Sequence, residues 1–183
     1  MTLAEMKEKV YSLIEEYNED EENLTEDEDL ALKMNNVINQ VQNELSRYKK
    51  ITAYKELEVT EGQEITFEDI DQSIYQLNII RGVESNTIGD RVIFEEDGTA
   101  KIYYYKYPTQ INSETDDEYK FELSTDVLEI MPYGVAGDLL KSDVSSQYGN
   151  IYSNRYKELI QQLDFRYGTG FVHIEGGAEV WNK

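Results

Sequence analysis

The chain has 183 residues, 39% apolar and 30% charged, with 38 acidic against 17 basic side chains and a net charge of −21. This is a globular composition, sized for one domain or one domain plus a small insert. The charge argues against a bulk binder of nucleic acid or anionic lipid. Cysteine is absent, which excludes disulfides and thiolate metal sites and fits an intracellular protein.

The first residues, Met1 to Glu8, are amphipathic and mixed in charge, unlike a secretory signal. No apolar run approaches the roughly 18 residues that span a bilayer. Leu3, Met6, Val10, Leu13, Ile14 and Tyr17 share one helical face, and Thr2 with Glu5 makes a capping box. An acidic break at 18–23 follows. Thr25 with Glu28 signals a second capping box, and residues 26–29 place negative charge at a helix start. The second predicted helix runs to Tyr48 on a stripe of Leu30, Met34, Val37, Ile38, Val41, Leu45 and Tyr48.

From 51 to 123 the period becomes that of strands, predicted at 51–59, 64–67, 73–83, 91–95, 100–107 and 119–123. Asp97-Gly98 is the strongest hairpin signal. Residues 112–118 are polar and read as an exposed loop.

Helical period returns after Ser124-Thr125-Asp126, with Leu128, Met131, Val135 and Leu139 on one face to about Ser142 and Pro132 near the start. A last helix carries Tyr148, Tyr152, Tyr156, Leu159, Ile160 and Leu163. The tail, 165–183, is punctuated by glycine, and its 171–175 stretch reads as a strand. Helices with one apolar stripe on either side of a β region need partners, and each other is the cheapest choice. The expected class is α+β: a bundle of about four helices, 1–50 plus 124–164, interrupted by a β-rich insert at 51–123, with a C-terminal β tail at 165–183.

Catalytic chemistry is thin. His173 is the only histidine, with Glu175 on the same strand face, and no nucleophile motif accompanies it, so a structural role is expected. No phosphate-binding, dinucleotide, zinc-protease or nucleophile-elbow motif occurs. The acidic run 18–23 lacks the glycine and spacing of a calcium loop. No cofactor or metal is expected, and no enzymatic activity.

Fifteen tyrosines are more informative. On a strand, Tyr103, Tyr105 and Tyr107 face one way and Tyr104 the other. They serve cross-strand packing or a Tyr-rich contact surface. Gly134, Ala136 and Gly137 permit close helix approach, inside one subunit or between subunits. Arg155 is a candidate carboxylate binder at a subunit contact or a plain surface charge. Phe171, Ile174 and Trp181 are the tail's candidate contact residues, placed to add a strand to a neighbour's sheet edge.

The stretch Leu128-Glu129-Ile130-Met131-Pro132-Tyr133-Gly134-Val135-Ala136-Gly137-Asp138-Leu139-Leu140, followed by Tyr152-Ser153-Asn154-Arg155-Tyr156-Lys157-Glu158-Leu159, resembles the head–tail connector (adaptor) proteins of tailed bacteriophages. Residues 34–45 look like that family's long helix, and Glu175-Gly176-Gly177 is similar to its short β tail. The likeness covers the helical frame, about half the chain, while the 51–123 insert is longer than in the simplest members. It implies a homo-oligomeric ring of twelve subunits between the portal protein and the tail-side neck or stopper protein. DNA would pass without being specifically bound. The expected location is the virion neck, with the host cytoplasm during assembly. The alternative expectation is a tail, baseplate or surface module that holds a protein or glycan on the Tyr-rich sheet.

Overall fold

The computed structural model describes residues 1–15, 28–141 and 147–168. They form a mixed α+β structure with small antiparallel sheets. Helix α1 (Leu3–Glu15) begins at the expected capping box: Thr2 N donates to Glu5 Oε2 at 2.9 Å, and Glu5 N donates to Thr2 Oγ1 at 3.2 Å. Helix α2 (Glu28–Tyr48) buries Met34, Ile38, Val41 and Leu45. Tyr48, expected on that stripe, is exposed instead, because it lies at the helix end beyond the packed face. The predicted cap at Thr25 and the break at 18–23 lie outside the described residues, as does Tyr17.

The predicted third helix is two. Helix α4 (Thr125–Leu128) ends before α5 (Met131–Leu140), with Pro132 in the first turn of α5. Proline has no N–H to give the Leu128 carbonyl, so a continuous helix would lose a bond there. Helix α5 is buried on nearly every side, from Met131 through Leu140. Such a helix must sit inside, and α1, α2 and α6 (Gln147–Gly168) all pack against it. On α6, Tyr152, Tyr156, Ile160 and Leu163 are buried, whereas Tyr148 is exposed at the first turn.

Six strands lie between α2 and α4 among the described residues. Strands β1 (Ile51–Val59), β3 (Ile74–Arg81) and β6 (Gly98–Lys106) form one antiparallel sheet in the order β1-β6-β3. Strands β2 (Glu64–Thr66), β4 (Ser85–Ile88) and β5 (Arg91–Phe94) form a second, in the order β2-β5-β4. The one-turn helix α3 (Phe67–Ile70) starts on a capping box between Thr66 and Asp69. Both sheets contribute to one hydrophobic cluster, with Phe94, Val92 and Ile65 from the second sheet against Ile102, Ala100 and Tyr104 from the first.

Asp97-Gly98 does not make the expected hairpin. Strand β5 pairs with β2 and β4, whereas β6 pairs with β1 and β3, so 95–97 carries the chain from one sheet to the other. The Asp97 carboxylate accepts from Glu61 N at 2.7 Å across that passage. The tight hairpin is Gly89-Asp90, between Ile88 and its partner Arg91, with Gly89 at φ +65°.

The predicted strand at 119–123 is a single bridge between Lys120 and Thr2. The segment 109–123 instead lies along the helices. Ile111, Phe121 and Leu123 belong to the helical hydrophobic cluster, not to the β cluster. Asn39 holds this segment like a strand partner: its Nδ2 donates to Ile111 O at 2.7 Å and its Oδ1 accepts from Ile111 N at 2.8 Å. Gln42 Nε2 adds a bond to Thr109 O at 3.0 Å. Further on, Leu3 N donates to Tyr119 O and Ala4 N to Asp117 O, satisfying donors that the first turn of α1 leaves free.

Candidate functional site

The β1-β6-β3 sheet has two unlike faces. Alternation along β6 turns Ala100, Ile102 and Tyr104 into the core and Lys101, Tyr103 and Tyr105 outward. The expected division of the tyrosines is therefore observed. Tyr104 is the core member. Its hydroxyl donates to Asp71 Oδ2 at 2.9 Å, and burial together with this bond pushes its pKa up to about 12. Burial opposes the Asp71 charge, but bonds from Ser73 and from Tyr104 outweigh it and hold the carboxyl below its ordinary value.

The outward face is aromatic and cationic along Tyr103 to Tyr107, with Glu56 and Glu58 of β1 beyond it at the Lys101 end. Tyr54, opposite Tyr103 in register, is 63% exposed, and the two rings lie 5.7 Å apart. Tyr75 packs between Tyr105 at 6.5 Å and Tyr107 at 4.8 Å, and donates to Ser46 O at the end of α2. Burial and these two neighbours raise the Tyr75 pKa. Ile79, opposite Tyr103 on the other side, is 43% exposed.

Three cations lie over these rings. Lys50 Nζ is 4.3 Å from the Tyr105 centroid, Arg81 Cζ is 5.7 Å from that of Tyr103, and Arg47 Cζ is 6.0 Å from that of Tyr107. Each such contact is worth about 0.5–1 kcal/mol at an exposed site, enough to bias where a long side chain rests. Arg47 also donates to Tyr107 Oη at 3.5 Å, and Lys50 to Gln76 Oε1 at 2.9 Å. Neighbouring Lys101 is paired with Glu56 at 2.9 Å, which raises its pKa.

The small residues of α5 are used inside the subunit. A Cβ on Gly134 would stand 2.8 Å from the Tyr156 ring, and one on Gly137 would stand 2.7 Å from Ser153 Oγ. Both contacts are with α6 of the same chain. Tyr156 donates to Glu44 Oε2 on α2 at 3.1 Å, and burial with this carboxylate drives its pKa strongly upward. The groove that α2, α5 and α6 leave between them, about 420 Å³, is lined by Glu44, Asp138, Lys141, Ser153 and Tyr156. Lys141 is paired with Asp138 there.

Arg155 is exposed on α6 and, among the described residues, pairs with Glu158, one turn on, at 3.3 Å. It is far from the Tyr face in the chain and shares no contact with it. Phe171, Ile174 and Trp181, together with His173, lie outside the described residues. The tyrosines at 103, 105 and 107 are therefore brought together, and Arg155 stands apart. Sequence reasoning missed Tyr54, Tyr75, Arg47, Lys50 and Arg81. Tyr54 had a signal, since it alternates with Thr52 and Glu56 on the polar side of β1. The cations had none, because their partners are far away in sequence.

Among the described residues no helix is long and apolar enough to cross a membrane, and no three metal-ligating side chains converge. The chain matches no protein-family model and no curated protein.

Proposed function

We propose that the chain is a structural head–tail connector (adaptor) of a tailed bacteriophage, forming a ring between the portal and the tail-side neck proteins and lining the DNA passage. One observation carries this reading. The residues that resemble the connector motif, Met131 to Leu140 and Tyr152 to Leu159, lie on one interlocked helix pair at the centre of the helical cluster. A motif whose members pack on one another is a structural unit, which suits an assembly part. Its β-rich insert supplies surface area for neighbours, and its net charge of −21 keeps DNA in transit from adhering to a wall. The bundle of about four helices and the C-terminal β tail belong to the same proposal, as does a subunit number of twelve. No catalytic step is assigned.

The test is native mass measurement and electron microscopy of the full chain, alone and with portal-bearing particles. Closed rings stacked on the portal are expected. A protein that stays monomeric at high concentration and ignores portal would refute the assignment.

The exposed Tyr54 and Ile79, flanking a half-buried Tyr103, favour a second reading: a tail, baseplate or surface module that holds a protein or glycan on this sheet. Ring formation separates the two.

A further inference from the structure

The chain carries 38 acidic side chains, yet three cations over one sheet face have no carboxylate partner among the described residues. Among the described residues Lys7, Lys9, Lys49, Arg91, Lys101, Lys106, Lys141 and Arg155 are ion-paired; Lys33, Lys55, Lys120 and Lys157 are not, and neither are Arg47, Lys50 and Arg81. All three rest on tyrosine rings of the outward face. The rings under them belong to Tyr103, Tyr105 and Tyr107, every second residue of β6 and its extension. Alternate residues of a strand repeat at about 7 Å, so the rings that carry the cations follow one another along the strand at that step. An extended polypeptide presents its own alternate side chains at the same step.

We propose that this face receives an extended acidic segment of another protein. Its carboxylates on alternate residues meet Arg81, Lys50 and Arg47, and an apolar side chain covers Tyr54 and Ile79 at the Tyr103 end. Tyr and Arg are the side chains enriched in such contacts. Single-stranded nucleic acid fits less well. Bases stack on free ring faces, whereas here Lys50 covers Tyr105, and Arg47 and Tyr75 cover Tyr107. A polyphosphate would also meet the long-range repulsion of a chain at −21. A segment with a few carboxylates carries less of that penalty and gains three local cations. The proposal stands independently of ring formation.

The test uses the full chain and three fluorescent probes, followed by anisotropy at low salt. One is a peptide with Glu at alternate positions, Val between them and Leu at one end. The second has Gln in place of Glu. The third is oligothymidine. The Glu peptide is expected to bind about tenfold tighter than the Gln peptide, the scale of three exposed ion pairs. Lys50→Glu with Arg81→Glu should remove that preference. Lys33→Glu with Lys120→Glu, which changes the net charge equally, should leave most of it. Tyr54→Ala should weaken both peptides. Equal binding of the two peptides, indifference to the Lys50/Arg81 reversal, or tighter binding of oligothymidine overturns the proposal. So does self-association of the chain that is abolished by Tyr54→Ala, since the occupant would then be a second copy. Circular dichroism of each variant excludes loss of fold as the cause.

Discussion

Replacing Gly137 with alanine sets two effects against each other. Alanine gains about 1 kcal/mol of helix propensity over glycine in a helix interior. The new Cβ, however, would stand 2.7 Å from Ser153 Oγ, 3.0 Å from Ser153 N and 3.3 Å from Ser153 Cα. The hydroxyl can rotate away. The backbone atoms cannot, unless α6 moves off α5 as a body. Overpacking of this kind costs about 1–3 kcal/mol. Gly137→Ala should therefore lose about 1 kcal/mol net, the propensity gain offsetting part of the strain. In urea unfolding followed by circular dichroism the midpoint falls while the slope is unchanged. The melting temperature falls by about 2–4 °C for a chain of this size. Adding Ser153→Ala should recover only the hydroxyl part, because the backbone contact persists. A Gly137→Ala protein at least as stable as the parent would show that α6 does not seat on α5 in this way.

Asn39→Ala leaves the Ile111 N–H and carbonyl without their partner, so a loss of about 1–3 kcal/mol is expected in the same assay. Phe94→Ala empties the centre of the β cluster, where Phe94 is fully buried, and should cost about 3–5 kcal/mol. Tyr104 predicts a pH dependence. Its folded pKa of about 12 lies above the ordinary 10.0, so the stability it contributes is complete below pH 10 and is lost as pH rises toward 12. Tyr104→Phe should flatten that part of the stability–pH curve, and an unchanged slope would count against the Asp71 bond. Tyr156→Phe removes one hydrogen bond to Glu44, an acceptor with access to water, and should cost about 0.5–1.5 kcal/mol by thermal unfolding.

The helices were legible because their stripes are local. Leu3, Met6, Val10 and Ile14, or Met34, Ile38 and Leu45, announce one buried face each, and all are buried. The alternation of Tyr103, Tyr104 and Tyr105 was equally plain, since the strand period needs no knowledge of the partner. What failed was pairing. Asp97-Gly98 looks like a hairpin, but nothing local says that β6 prefers β1 and β3 to the strand just before it. Phe121 and Leu123 looked like strand residues, yet they bury against helices, and apolar residues in a short run carry no mark of which core they enter. The cationic half of the outward face was invisible for the same reason. Arg47 lies in the last turn of α2 and Lys50 just beyond it, where basic residues have an ordinary use at a helix end. Only the fold carries them over tyrosines more than fifty positions later.

Ile51 and Lys106 are partners in the β1–β6 ladder. Seen from the helices, everything between these two residues is one long loop whose mouth is a single strand spacing wide. Closing that mouth is done by the ladder itself, so the helices bear little of the entropy of holding the two chain ends together. The outward face can then change its side chains, or the sheets their length, while the helices keep the same doorway. A lineage that must meet many partners with one frame would find its room for variation there.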